Sequence, residues 1–182
     1  IRLGNIFQTC ASDINYGLGL TRFIRQMQAT DHWCTKQKRL AVVKPSFSDL
    51  DIGIRQIEAA LCVQGWQIEI VDVPNPSDDC WQQSVADLAK ADPSIIVLAS
   101  IFVEDAIAFQ RAFMREPLHA MIYAIYAPSV PQFRSELGHL SEGIVWATTS
   151  GLYTDAIGEG FTQRYLRRFS TLPGQSQASL AY

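Results

Sequence analysis

The sequence predicts an α/β protein: three layers, α-β-α, built on a mainly parallel five-stranded sheet. Two observations carry that expectation. Strand-like and helix-like runs alternate five times along the 182 residues. Their spacing is roughly 25–30 residues per unit, which is what parallel strands joined by crossover helices require. The second observation is Ile95–Leu98, an unbroken Ile-Ile-Val-Leu run rich in β-branched residues. Such a run suits a strand buried on both faces. The 48% hydrophobic and 18% charged composition, with a net charge of -3, is that of an ordinary globular chain long enough to bury a core.

The elements follow in order. Ser12 or Asp13 offers an N-cap, and Ile14, Leu18, Thr21, Ile24 and Met27 then recur at helical spacing, widened by Leu20 and Phe23. Gly17 and Gly19 each weaken this helix by about 1 kcal/mol relative to Ala, which is tolerable where another backbone packs closely. Arg39–Lys44 reads as the first strand. Ile54, Ile57, Ala60 and Leu61 form a stripe closed by Gly65. Trp66–Val73 alternates as a second strand nearer an edge. The loop 74–79 caps a helix that buries Val85, Leu88 and Ala89. Asp92-Pro93 opens the third strand, because the residue before proline is pushed away from helix. A helix over Asp105–Met114 carries Ala106, Phe109, Ala112 and Phe113. His119–Tyr126 reads as a fourth strand, Gln132–Leu137 as a short helix and Gly143–Thr148 as a fifth strand. Thr154 or Asp155 caps a helix with Ile157, Phe161, Tyr165, Leu166 and Phe169.

Several function classes are disfavoured. The only basic clusters, Lys36-Gln-Lys-Arg39 and Arg167-Arg168, suit a solvated strand entry and a helix end better than a nucleic-acid surface. No apolar run reaches the ~18 residues that membrane insertion needs. The chain opens at Ile1 without a signal-peptide pattern, and residues 177–182 resemble the first turns of a helix, so a fragment is expected. Cys10, Cys34, Cys62 and Cys80 form no Cys-x-x-Cys pair and have no histidine at ligand spacing. They are expected to be free, mostly buried thiols, and neither metal nor cofactor is expected.

Catalytic patterns fail as well. Gly17-Leu-Gly19 lies within a helix before the first strand, so it is no dinucleotide loop, and no P-loop, nucleophile elbow or zinc-protease motif is present. His32, His119 and His139 fall in turns or at a strand entry. Glu104-Asp105 suits recognition of a cationic or hydroxyl group, but suits better the first turn of a helix, where carboxylates complement the dipole. Asp78-Asp79 carries the same ambiguity. In open α/β sheets ligands bind outside the carboxyl ends of the strands. Those ends here offer Ser46, Phe47 and Ser48; Asn75 and Ser77; Ser100, Ile101 and Phe102; Tyr126 and Ser129; Thr149, Ser150 and Tyr153. Hydroxyls, an amide and rings make a binding surface rather than a catalytic array, so no enzyme is expected.

The order of these segments resembles the type I periplasmic binding protein fold, in the branch of branched-chain amino acid ABC transporter substrate-binding proteins. Asn5-Ile-Phe-Gln-Thr-Cys-Ala-Ser-Asp13 resembles the family's crossover between lobes, and Tyr16–Ile24 the helix after it. Lys38–Val43 resembles the first strand of the lobe, and Ala91–Val97 the helix, Pro/Asp, apolar-strand step. Ser141–Val145 is similar to the Glu-Gly strand opening, Phe161–Tyr165 to the next helix and Ser179–Tyr182 to the start of the returning helix.

The resemblance implies the second lobe of a two-lobed receptor, with residues 1–12 as crossover, 13–176 as lobe and 177–182 as the start of a truncated return helix. It implies a small-molecule ligand held in the cleft between this lobe and the missing first lobe, with ABC transporter membrane subunits as further partners. It also implies a periplasmic or extracellular location. The ligand-binding residues it implies are Phe47 and Ser48, then Ser100, Ile101, Phe102 and Glu104, then Tyr126 and Ser129. The family's aromatic ring in the second loop is matched by Phe102. Its third-loop carboxylate is not matched, because Tyr126-Ala-Pro-Ser-Val130 holds none, and Asp49-Leu50 replaces the Tyr-Gly of the first loop. The ligand stays open between an amino acid, an amide, an aromatic acid and another small metabolite. An alternative is the same fold as a cytoplasmic sensor or regulatory domain.

Overall fold

Ile95–Leu98 is a strand with all four residues buried, and the rest of the sheet is laid out around it. The computed structural model describes residues 12–30, 33, 35, 37–46, 48–74, 76–148 and 155–173. The strands are β1 (Arg39–Pro45), β2 (Gln67–Val73), β3 (Ile95–Leu98), β4 (Met121–Ile125) and β5 (Val145–Ala147). They form one sheet in the order β2-β1-β3-β4-β5, and each neighbouring pair is parallel. The helices are α1 (Asn15–Ala29), α2 (Ile54–Leu61), α3 (Asp78–Ala91), α4 (Val103–Arg115), α5 (Pro131–Leu137) and α6 (Ala156–Phe169). The chain divides into two units. One is Asp13–Ala147, holding the whole sheet and α1–α5; of the other, residues 12, 148 and 155–173 are described.

In the first unit the pleat separates two cores. Leu40, Val42, Ile95, Val97, Tyr123 and Ile125 meet α1 and α2 through Tyr16, Leu20, Ile24, Ile57 and Leu61. Ala41, Val43, Ile96, Leu98, Ile122 and Ala124 meet α3, α4 and α5 through Trp81, Leu88, Phe109, Phe113 and Phe133. Successive strand residues therefore feed opposite layers, as the period of two demands. Each fully buried aliphatic side chain contributes about 1.5–3 kcal/mol, so the three central strands hold most of the sheet's stability. β2 is an edge strand, as its alternation predicts; Ile70 there is exposed.

The helix ends are partly as read. Ser77 caps α3 by accepting from Cys80 N–H, and Asp155 caps α6 by accepting from Gly158 N–H. Several readings change; in α3, Ala89 faces solvent while Val85 and Leu88 are buried. α1 begins without a side-chain cap, at Ile14, and it buries Tyr16, Gly17, Leu20, Thr21 and Ile24 while Leu18 faces solvent. α4 starts at Val103, two residues earlier than expected. Cys62 is an exposed thiol, because it lies just past Leu61, off the buried stripe, while Cys80 is half-buried and also free. Cys10 and Cys34 lie outside the described residues.

The second unit presents α6. Phe161 is buried, and the rings of Phe161, Tyr165 and Phe169 lie tilted against one another in sequence, with centroids 5.7 and 4.5 Å apart.

Gly17 explains how α1 joins the sheet. Its N–H is one of the unpaired donors of a first helical turn, and it donates to Ile52 O at 2.8 Å. A Cβ there would lie 2.5 Å from that same oxygen and 2.9 Å from Gly53 O. Gly19 differs, since its nearest neighbour would be Tyr123 Oη at 3.6 Å, an ordinary contact. Gly17→Ala is expected to destabilise the unit by about 2 kcal/mol, because the lost bond and the overpacking outweigh the gain in helix propensity. Gly19→Ala is expected to be neutral or to stabilise by up to about 1 kcal/mol. Urea denaturation of the two variants checks the contrast; equal effects would refute the close approach at Gly17.

Candidate functional site

The strand order places a topological switch point between β1 and β3. β1 leads through α2 to the outer strand β2, whereas β3 leads through α4 to β4 on the other side. α2 covers one face of the sheet and α4 the opposite face. The loops after β1 and β3 therefore diverge and leave a crevice outside the carboxyl ends, where α/β sheets bind ligands.

On the β1 side the loop runs from Ser46 to Gly53. Ser46 N–H donates to Val73 O at 2.9 Å, tying the exit of β1 to β2. Ser48 is half-buried and its hydroxyl accepts from Leu50 N–H at 3.4 Å. Asp51 Oδ1 accepts from Gly53 N–H at 2.8 Å, folding the chain into α2. Gly53 has φ 80°, and a Cβ there would also lie 2.7 Å from Ile14 O, so glycine suits both the turn and the approach of α1. Phe47 lies outside the described residues.

On the β3 side Ser100 is buried, at 2% exposure. Its hydroxyl donates to Asp105 Oδ2 at 2.6 Å and accepts from Phe102 N–H at 3.2 Å. Ser100 thus works as a brace between the strand end and the first turn of α4. The braced loop presents Ile101 and Phe102 outward, 42% and 49% exposed. An adjacent exposed isoleucine and phenylalanine at a switch point is the apolar feature of the edge. Glu104 is exposed beside them. Pro76, Phe102, Glu104 and Asp105 line a shallow groove of about 290 Å³.

Asp105 is half-buried. Burial pushes its carboxyl above the ordinary 3.8; the bond from Ser100 opposes that rise and the charge of Glu104 adds to it. Sequence reading placed Glu104-Asp105 between a ligand role and a helix-start role. The structure puts both in the first turn of α4, with Asp105 engaged internally by Ser100.

At the end of β4, Tyr126 has φ 47° and ψ -59°, a conformation few non-glycine residues adopt. Its N–H donates to Ala147 O and its carbonyl accepts from Ser129 N–H, both at 2.8 Å. Tyr126 and Ser129 are half-buried, with Ala127 and Pro128 buried between them. β3 and β4 pair as far as Leu98 opposite Ala124, and Ser100 and Tyr126 each follow two residues past that pair. The structure therefore brings Ser48, Ser100, Ile101, Phe102, Glu104, Tyr126 and Ser129 to one edge of one sheet. Two neighbours were missed from the sequence. Leu50 is half-buried against the α1–α2 core, and Pro76 faces the groove beside Phe102. Nothing in local spacing marks either one.

Among the described residues no group of His, Cys, Asp and Glu could hold a metal ion, and no helix is long and apolar enough to cross a membrane. A wider groove of about 460 Å³ lies at the opposite edge, along Trp33, Pro93, Leu118 and Met121, away from the switch-point loops.

The class that the fold defines is an α/β domain with a doubly wound parallel sheet and a switch point between β1 and β3. No family model and no curated protein matches the sequence. Solved structures do. A Silicibacter pomeroyi protein named as a branched-chain amino acid ABC transporter superposes with a TM-score of 0.83 at 23% identity, over 97% of this chain and 44% of that one. A leucine binding protein from Thermotoga maritima gives 0.74 at 15% identity, over 96% of this chain and 48% of that one. An R. palustris ABC transporter solute binding protein in complex with benzoate gives 0.71 at 13% identity, over 97% and 46%. The chain has the fold of one lobe of a type I periplasmic binding protein, as found in branched-chain amino acid ABC transporter binding proteins, and spans less than half the length of these structures.

The raised carboxyl of Asp105 gives a pH signature. The folded state holds this proton where the unfolded chain has released it, so its stabilising effect is complete below 3.8 and is lost as pH rises through the higher folded value. Relative to Asp105→Asn, the wild type is expected to gain stability as pH falls from 7 towards 3.5, measured by denaturant titration at each pH. A pH-independent difference would show that burial does not perturb this group.

Proposed function

We propose that this chain is the ligand-binding lobe of a two-lobed solute-binding receptor serving an ABC transporter. In this reading residues 1–12 cross between lobes, residues 13–176 form the lobe, and residues 177–182 begin the helix that returns to the first lobe. A small polar or amphipathic molecule lies in the cleft between the lobes, and the closed receptor delivers it to the membrane subunits. The receptor works outside the cytoplasm, in the periplasm or extracellular space, and performs no chemistry on its ligand.

The observation that carries the reading is the exposed Ile101–Phe102 pair at the switch point of a fold otherwise seen in solute-binding proteins. Two large apolar side chains held outward by an internal brace are costly for a finished surface and suit one wall of a cleft. Ser48, Tyr126 and Ser129 supply hydroxyls beside them, and the groove at Phe102 adds two carboxylates. Neighbours of this fold are described as binding leucine and benzoate, so ligands of that size fit such lobes.

A thermal-shift screen of the full-length protein against amino acids, amides and aromatic acids tests the reading, since a ligand that binds only the folded state raises its melting temperature. With a hit in hand, Phe102→Ala is expected to weaken binding about tenfold, the loss of roughly 1.4 kcal/mol of ring burial. An unchanged dissociation constant removes Phe102 from the site. The 182-residue lobe alone is expected to bind the same ligand no tighter than roughly micromolar, because half the contacts are missing. Submicromolar affinity from the lobe would contradict the two-walled cleft.

A further inference from the structure

The two edges of the sheet are unlike. β5 closes one side with three residues. β2 closes the other with seven, Gln67–Val73, paired to β1 residue for residue without a bulge. Edge strands are usually short, or interrupted by a bulge, a proline or a lysine, because their open backbone groups recruit other strands. β2 has none of these devices. Its charges are two carboxylates, Glu69 and Asp72, and Asp72 is held by Lys44 of β1 at 3.6 Å.

Two bonds fix the direction of its backbone. Gln67 N–H donates to Lys38 O at 2.8 Å, and Val73 O accepts from Ser46 N–H at 2.9 Å. In a parallel ladder the residues that bond to one neighbour alternate, so Gln67, Glu69, Val71 and Val73 bond to β1. Ile68, Ile70 and Asp72 therefore turn N–H and C=O to the open side, and among the described residues none pairs with these groups. Their side chains share the α1–α2 side of the sheet. Ile68 is half-buried against that core, and Ile70 is 44% exposed.

The open residues are symmetric about Ile70. An antiparallel copy of the same strand centred there sets Ile70 against Ile70 and Ile68 against Asp72, so every open N–H and C=O finds a partner. The exposed isoleucines then meet across the two-fold axis, and on the other side of the sheet Glu69 stands opposite Val71. Registers centred on Glu69 or Asp72 set like charges face to face, and those centred on Ile68 or Val71 leave an open residue unpaired. A basic strand from another protein has less to meet, because Asp72 is already paired with Lys44.

We propose that the β2 edge is a self-association surface, on which two copies of this chain join antiparallel about Ile70 and two five-stranded sheets become one. Antiparallel joining points the two carboxyl edges in opposite directions, so the strand pairing covers neither crevice. The proposal does not depend on what the crevice binds.

Analytical ultracentrifugation and residue-resolved amide hydrogen exchange of the full-length protein test it. One strand pair is a small interface, so the wild type is expected to dimerise with a dissociation constant of roughly 10–100 μM. On association the amides of Ile68, Ile70 and Asp72 are expected to exchange more slowly, while those of Glu69 and Val71, already bonded to β1, do not change. Ile70→Lys, which sets two ammonium groups against each other at the axis, is expected to weaken the dimer at least tenfold, with circular dichroism verifying the fold. Should that variant fail to fold, the exchange pattern of the wild type decides. A protein still monomeric at roughly 500 μM overturns the proposal. So does a dimer whose strength is unchanged in folded Ile70→Lys, or one that leaves the three amides as fast as in the monomer. Slow exchange of those amides in the monomer overturns it as well, because another part of the full-length chain then covers the edge.

Discussion

Everything at the carboxyl edge of the sheet depends on β3 being buried on both faces. Ile95 and Val97 enter one core, Ile96 and Leu98 the other, and none is more than 2% exposed. A strand so placed must have a strand on each side and a helix layer above and below. β1 and β4 supply the strands. Because β2 lies beyond β1, the connections leaving β1 and β3 go to opposite faces, and a crevice opens between them. The site is thus a consequence of burial: four apolar residues force the topology, and the topology leaves a gap at the carboxyl edge.

That central strand was legible because its pattern is one-dimensional. An apolar run between Asp92-Pro93 and a helix start has few other solutions. The edge character of β2 followed from its polar alternation, the cap Ser77 lies in the loop 74–79 expected to cap α3, and Asp155 is one of the two caps that residue type offered for α6. What was not legible depends on contacts distant in sequence. The buried face of α1 runs through Tyr16 and Gly17 rather than Leu18, because the helix docks through a glycine onto the Ile52 carbonyl, 35 residues away in the chain. A helical wheel cannot weigh that bond. The same holds for Cys62, which a stripe through Leu61 places near the core and a 3-10 turn places outside it.

At the site, sequence reading located the edge but could not divide the labour among its residues. Ser100, Ile101 and Phe102 look alike as candidates in one dimension. In three, Ser100 is interior and ties Asp105 to the Phe102 amide, and its neighbours are the ones turned to solvent. The brace has a cost. Asp105 is kept half out of water next to Glu104, and its proton is harder to remove for that reason. Tyr126 is a stronger case: no propensity assigns tyrosine a positive φ, and only the change of core between Ile125 and Ala127 reveals it.

For a cleft that closes on its ligand, the size of the exposed apolar rim matters as much as its position. Ile101 and Phe102 are about half exposed, so covering them completely is worth roughly 1–3 kcal/mol. Lobe closure without ligand would have to order two surfaces against each other for that gain alone, which is too little to hold a receptor shut. A ligand that adds a few more kcal/mol in the closed form shifts the population by a factor of 10² or more, as differential affinity requires. A larger rim would close empty, and a fully polar one would surrender most of the closing energy to desolvation. Under the proposed reading, two braced side chains on one lobe lie in the range where a small molecule, rather than the protein itself, decides whether the cleft is open.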